Sequence, residues 1–416
     1  MIYSNAILRG FIILILVSSC NKNDDNMNTN TIVNKPFPNH TNYIGNHIKP
    51  NNYNQNDLDN HSKDFYNDWK NLYLKNNCNA YEYFIKFDNG INTVSEAHGY
   101  GMIIMCYMAG YDNNAKIYYD GMFHYYKSHP SSINNYLMDW KQISCNDTPN
   151  ANDDNSASDG DIDIAFSLLL AHNQWGSNGT INYLLEAQNI INAIMLDDIN
   201  QSTWSVKLGG WSVPSEPGFY NGTRASDFIT SHFKAFSSAT NNNNWNLVVD
   251  KCYDLIDENQ NATTGLMPDF IINVNGVSSP ANANYLESDY DGNYYYNACR
   301  FPWRIGVDFL INNDARAKTA VTKLNTWLLN NTSGNVNNIS NGYLLNGTAI
   351  VTYNDPSFLG PFTIGAMTDQ SNQTWLNSLY SELVFNNNIS DGDYYSNTLK
   401  LLSLITISGN YWNPTI

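Results

Sequence analysis

The chain has 416 residues, room for one large domain or two smaller ones. Its formal charge is −17, yet only 14% of its residues are charged, so neutral polar groups, chiefly the many Asn, must keep it soluble. That balance argues against a nucleic-acid partner, which needs basic patches, and it fits a cationic polymer as well as it fits generic acidity. Aromatic residues make up 13%, with 10 Trp and 29 Tyr. Such rings fill cores, and they also floor grooves for sugars, whose C–H faces stack on them.

In chain order, Arg9 precedes an apolar run from Phe11 to Val17 that is too short to span a bilayer. Residues 1–19 therefore read as a secretory signal. The run ends in Val17-Ser18-Ser19-Cys20. Small residues directly before a Cys are the cleavage pattern of bacterial lipoproteins, so Cys20 is the expected lipidated N-terminus and a membrane its expected partner. Asn21 to Pro38 is rich in Asn, Asp and Thr and has little to bury. Residues 20–54 are thus expected to form a disordered tether before a single domain at 55–416. The acidic stretch Asn21 to Asp25 points toward export to the outer membrane or cell surface.

Beyond the tether, apolar residues recur at spacings of 3 and 4. The segments fall near 62–76, 95–111, 113–129, 159–175, 181–198, 225–240, 243–260, 293–312, 315–331, 358–369, 372–386 and 393–408. Start signals precede several of them: Ser95 before Glu96, Ser158-Asp159 before Ile162, and Ser226-Asp227 before Phe228. Strand-like alternation is confined to short pieces such as Ile271–Val277 and Ala349–Tyr353. Twelve helices make six hairpins, and a closed ring of six is an all-α (α/α)6 barrel. An open solenoid has the same helix count but carries a sequence repeat, and none is visible. Cys78, Cys106, Cys145, Cys252 and Cys299 include no CxxC pair and no Cys/His metal spacing. Cys106 and Cys252 sit in apolar helical runs and read as core. The sequence permits a disulfide among the five without choosing one.

Two clusters carry chemistry. Ser95-Glu96-Ala97-His98-Gly99-Tyr100-Gly101-Met102 opens a helix. A first-turn Glu can be a mere dipole partner, but two Gly, a His and a Tyr around it weaken a plain helix. Ala157-Ser158-Asp159-Gly160-Asp161-Ile162-Asp163-Ile164-Ala165 opens another with three acids at alternate positions. A calcium loop of the EF-hand type needs a Glu at the twelfth place, where Leu170 stands. Three acids before an apolar run instead suit a carboxylate held at the mouth of a barrel.

These two clusters, followed by Trp175, resemble glycoside hydrolase family 8. Leu137 to Trp140, Tyr296 to Arg304 and the closing Leu401 to Trp412 extend the resemblance over roughly residues 60–413. The resemblance implies an (α/α)6 barrel that hydrolyses β-1,4-linked glucan, xylan or chitosan with inversion and without metal or organic cofactor. It implies Glu96 as proton donor and Asp159 as the carboxylate that holds the distorted sugar at the cleavage point. It also implies Trp140 as a stacking platform and Arg300 as a groove residue. Tyr100, Trp211, Tyr394 and Tyr395 are further candidates for contact with the substrate. Many members have an Asp where this chain has Asn297, and that Asp is their base. An amide cannot take a proton from water, so the base must come from elsewhere. A branch of the family with chitosanase and glucanase activity takes it from a loop Glu just before this helix. Asn284 to Gly292 offers Glu287, with Asp289 and Asp291 as rivals. Inversion requires the second carboxylate roughly 6.5–9.5 Å from the acid, with water between. His98 and His232 can tune an acid or simply hydrogen-bond in a core. The expectation is a monomeric endo-glycanase, with chitosan or β-glucan ahead of xylan as substrate. The rival is a non-catalytic glycan-binding lipoprotein, favoured if no loop acid faces the cleft.

Overall fold

The computed structural model describes residues 32–88, 90–145, 155–385 and 389–416. The signal segment 1–19, Cys20 and the Asn21 to Asp25 stretch lie outside the described residues. The helices are α1 (Gln55–Tyr73), α2 (Ser95–Met108), α3 (Ala115–Ser128), α4 (Ser158–Trp175), α5 (Tyr183–Asp197), α6 (Pro217–Tyr220), α7 (Thr230–Thr240), α8 (Asn244–Asn259), α9 (Phe301–Asn312), α10 (Ala315–Asn331), α11 (Pro356–Ala366), α12 (Gln373–Phe385) and α13 (Tyr394–Ile407). All but the one-turn α6 build an (α/α)6 barrel. Helices α2, α4, α7, α9, α11 and α13 pack in succession, and α13 closes the ring on α2. Helices α3, α5, α8, α10 and α12 cover the preceding inner helix, while α1 covers α13, so the last hairpin is made by the two ends of the domain.

The two rings differ in composition for a physical reason. An inner helix touches neighbours all round, so it must be apolar or small on every face. In α2 every residue except Glu96 is buried, and in α13 every residue except Tyr395 and Ser396. The exceptions stand at the first turn, where the ring opens. Outer helices keep a stripe, as α1 does with Leu58, Phe65, Trp69 and Tyr73. That helix begins at Gln55 rather than near residue 62. Its polar first turns carry no apolar periodicity, and a capping box between Asn54 and Asp57 starts it instead. Likewise 293–312 is helical only from a 3-10 turn at Ala298–Arg300 onward.

The glycines flanking the two acid clusters are explained by close approach of α2 to α4. A Cβ on Gly160 would lie 2.5 Å from the Ser95 Cβ, and one on Gly99 would lie 2.7 Å from the Asp163 Cβ. Only glycine lets the two first turns touch, and that contact brings Glu96 beside Asp159.

Residues 32–54 correct the expectation of a tether reaching to residue 54. The backbone N–H groups of Asn34, Phe37, Thr41, Gly45 and Ile48 donate to the carbonyls of Gln174, Ala109, Gly409, Leu310 and Met367. Those carbonyls end α4, α2, α13, α9 and α11, whose last turns have no partner of their own. Phe37 and Tyr43 are buried in the same segment. The strap closes one end of the barrel, and the N-termini of these helices converge at the other. It is held by backbone donors, which leave no mark on side-chain composition.

Cys78 and Cys145 form a disulfide, while Cys106, Cys252 and Cys299 are free and buried. The bridge ties the loops that flank a short antiparallel pair, Thr93–Val94 with Lys141–Gln142. Thr223–Arg224, Phe270–Ile272 and Ser279–Pro280 form a three-stranded sheet beside the open end.

Candidate active site

A cavity of about 550 Å³ opens at the N-terminal ends of the inner helices. Glu96, Asp159 and Glu287 all line it, together with Trp140, Asn297, Arg300 and Tyr395. The first two come from the opening turns of α2 and α4, where helix dipoles favour negative charge. Glu287 comes from the loop before α9.

Two arginines organise the three acids. Arg300 Nη1 donates to Glu96 Oε2 at 2.5 Å and to Asp159 Oδ2 at 3.0 Å, while its Nη2 donates to Asn297 Oδ1 at 2.9 Å. Asn297 turns its other edge outward, and Nδ2 donates to Glu287 Oε2 at 2.8 Å. Arg224 sits between Glu287 and Asp159, 3.5 Å from Glu287 Oε1 and 3.8 Å from Asp159 Oδ2, the oxygen that Arg300 also reaches. A continuous polar chain therefore links Glu96 to Glu287 across the cavity floor.

The same surroundings split the titrations. Burial raises Glu96 to about 7, helped by the charge of Asp159 and opposed by Arg300. Burial also acts to raise Asp159, but Arg224 and Arg300 outweigh it and hold that carboxyl below its usual range. One acid thus keeps its proton near neutrality while its neighbour is ionised, the pattern of paired carboxyls with separate roles. Burial likewise raises Asp198 and Asp227 to about 7, but both side chains are wholly enclosed. Glu96, with 15% of its side chain exposed, is the one of these three that reaches the cavity.

The three loop acids are not equivalent. Glu287 is 46% exposed and lines the cavity. Asp289 points to Asn284 on the exterior. Asp291 is buried and accepts hydrogen bonds from the backbone N–H groups of Leu286, Glu287 and Ser288.

The aromatic candidates divide. Trp140 lines the main cavity and also an adjoining one of about 340 Å³, which Trp211 and Glu287 line as well. Tyr395 lines the main cavity with its hydroxyl fixed on the Tyr296 carbonyl at 2.6 Å. Tyr100 is a correction. It is fully buried beneath the floor, with its hydroxyl 3.3 Å from Arg300 Nη1, so it supports that arginine and touches no substrate. Tyr394 is a second correction. It is buried between Phe87 and Tyr73, because the first turn of α13 aims it inward and Tyr395 outward.

Neither histidine reaches the cavity. His98 is a core residue on the Met122 carbonyl, lowered by burial to about 4. His232 stacks on Phe166 and meets Asp163, which is also paired with Arg304. Sequence reasoning missed Arg224, Tyr296 and Asp355. A signal for the first was available: the chain has only five arginines, and Arg224 stands two residues before the Ser226-Asp227 helix start. Tyr296 and Asp355 line the cavity from loops whose composition resembles every other loop here.

The model of glycosyl hydrolases family 8 matches residues 59–409. A β-glucanase of Niallia circulans is 46% identical over 382 residues, 91% of each chain. An endoglucanase of Bacillus sp. (strain KSM-330) is 39% identical, covering 91% of this chain and 82% of its own. Among solved structures, the apo β-1,3-1,4-glucanase of Paenibacillus sp. X4 superposes with a TM-score of 0.87 at 47% identity, covering 91% of this chain and 99% of that one. A xylose-bound enzyme of Paenibacillus barcinonensis shares the fold alone, with a TM-score of 0.72 at 16% identity over 93% of this chain and 99% of its own.

Proposed function

The chain belongs to glycosyl hydrolase family 8 and is an endo-acting glycoside hydrolase, and we propose that it cleaves a β-1,3-1,4-glucan with inversion at the anomeric carbon. The observation that carries this reading is the pairing in one cavity of Glu96, whose carboxyl burial raises to about 7, with the loop acid Glu287. The names of the relatives at 46% and 47% identity support the glucan.

In this reading a glucan chain lies between Trp211, Trp140 and Tyr395. Glu96 gives its proton to the glycosidic oxygen as the C1–O bond breaks. A water attacks C1 from the opposite face and surrenders a proton to Glu287, so the pair of carboxyls returns to its starting charge in the next exchange with solvent. Asp159, ionised, lies beside the sugar and stabilises the positive charge that develops on its ring. Asn297 cannot serve as base, but its amide presents a donor to Glu287. The presence of Glu287 on the cavity wall weighs against a binding-only protein.

Chitosan is the second reading. Asp355 and Asp393 add carboxylates to the cavity wall, where they suit an amino sugar. A reducing-sugar assay on lichenan, carboxymethyl cellulose, chitosan and xylan separates these. The highest kcat/KM is expected on lichenan, and turnover of xylan alone would overturn the proposal.

We further propose that Cys20 carries a lipid and places the enzyme on the outer membrane or cell surface. The Val17-Ser18-Ser19-Cys20 pattern supports this, as does a disulfide of the kind that persists in oxidising compartments. Cys20→Ala should shift the protein from the membrane fraction to the soluble one, and unchanged membrane retention would contradict the anchor.

A further inference from the structure

We infer that Asp291 is a positioning residue whose buried carboxylate holds the Glu287 loop in its working place. The inference rests on the reading of Glu287 as base. Glu287 is half exposed on a loop, yet a base must sit within roughly 0.5 Å of its productive geometry. Something other than packing of its own side chain must hold it.

Asp291 supplies that hold. Its Oδ2 accepts from the N–H of Leu286 at 2.7 Å and of Glu287 at 2.9 Å. Its Oδ1 accepts from the N–H of Ser288 at 2.8 Å and from the Ser288 hydroxyl at 3.1 Å. Three successive N–H groups converging on one anion form a nest, and they offset the cost of burying that charge. The loop cannot swing without stripping this carboxylate of its donors.

A second carboxylate repeats the device on the partner of Glu287. Asp269 is buried and accepts from the N–H groups of Tyr295 at 2.8 Å, Asn297 at 3.1 Å and Ala298 at 2.7 Å. It thereby fixes the turn that carries Asn297, whose amide donates to Glu287. The two nests are joined directly, since the Phe270 N–H donates to the Asp291 carbonyl at 2.8 Å. The base is held by its backbone through Asp291 and by its side chain through Asp269 and Asn297. Neither aspartate lines the cavity, so both act through Glu287.

The test compares Asp291→Asn in two backgrounds. In the otherwise native enzyme, kcat on lichenan should fall about 10²-fold, the order that a misplaced catalytic group costs, while KM moves by no more than about twofold. In Glu287→Ala, azide replaces water as the nucleophile. The C1–O bond breaks, a C1–N bond forms, and Glu96 still protonates the leaving oxygen, so no base is used. Adding Asp291→Asn to that rescued enzyme should leave its rate unchanged within about twofold, because the loss acts only through Glu287. Native kcat in Asp291→Asn, or an equal loss in the azide-rescued background, overturns the positioning role. Failure of azide to rescue Glu287→Ala overturns the base assignment itself and this inference with it. Asp269→Asn is held to the same comparison, so misfolding of one variant leaves the other to decide.

Discussion

Replacing Glu96 by Gln should abolish activity and, at alkaline pH, make the protein more stable. The carboxyl has an ordinary value of 4.5 and is raised to about 7 in the fold, chiefly by burial. A carboxyl raised on folding binds its proton more tightly in the native state. Its contribution to stability is complete below about 4.5 and is lost as pH climbs through about 7. Linkage with these two values makes ionisable Glu96 cost roughly 1 kcal/mol at about pH 5 and roughly 3 kcal/mol at about pH 8. Glutamine cannot ionise, so its stability lacks that slope. Urea unfolding followed by Trp fluorescence gives ΔG for both proteins at each pH. The wild type should lose roughly 2 kcal/mol more than Glu96→Gln between about pH 5 and about pH 8. Parallel pH profiles, or a steeper fall in the variant, would refute the claim that the fold holds a proton on Glu96.

In the proposed mechanism the same proton governs turnover. The alkaline limb of kcat/KM should lie at about 7, where Glu96 is lost as an acid, and a limb in the ordinary carboxylate range would exclude it. Trp211→Ala should raise KM several-fold on long glucans with kcat nearly unchanged, because the indole lines the adjoining cavity, which Glu96 does not line. A fall in kcat with KM unchanged would place Trp211 in the chemistry instead. Cys78→Ser with Cys145→Ser opens a loop of 67 residues and should lower stability by about 4 kcal/mol on the chain-entropy account. An unaltered melting temperature would show that the reduced loop is already constrained.

What the sequence showed and hid follows from how each feature is held. The barrel was legible because inner helices bury nearly every face, which leaves long apolar runs such as Ile103 to Met108 and Ile162 to Ala171. Glu96 and Asp159 were legible because glycines are costly inside helices and mark the contact of α2 with α4. The strap at 32–54 was hidden, since its bonds run from backbone N–H groups to helix-end carbonyls and need no particular side chains. The roles of Glu287, Asp289 and Asp291 were inseparable in sequence for a related reason. Three acids within five residues differ only in which way the loop turns them, and that turn is set by N–H groups meeting Asp291. Tyr394 and Tyr395 show the same limit on a helix, where one step of about 100° separates the core from the cavity.

Asn297 ties these features together. It occupies the position from which many relatives of this fold are expected to present a base, and here it bridges Arg300 to Glu287. In the proposed mechanism Asn297 keeps a place in the network while proton abstraction falls to Glu287 on the loop. On that account the reaction remains a single displacement by water from the face opposite Glu96. The most direct test is the anomeric form of the first product. Proton NMR during early turnover of lichenan should show the new reducing end appearing as the α-anomer before it equilibrates. A β-anomer appearing first would contradict the pairing of Glu96 with Glu287 across an attacking water.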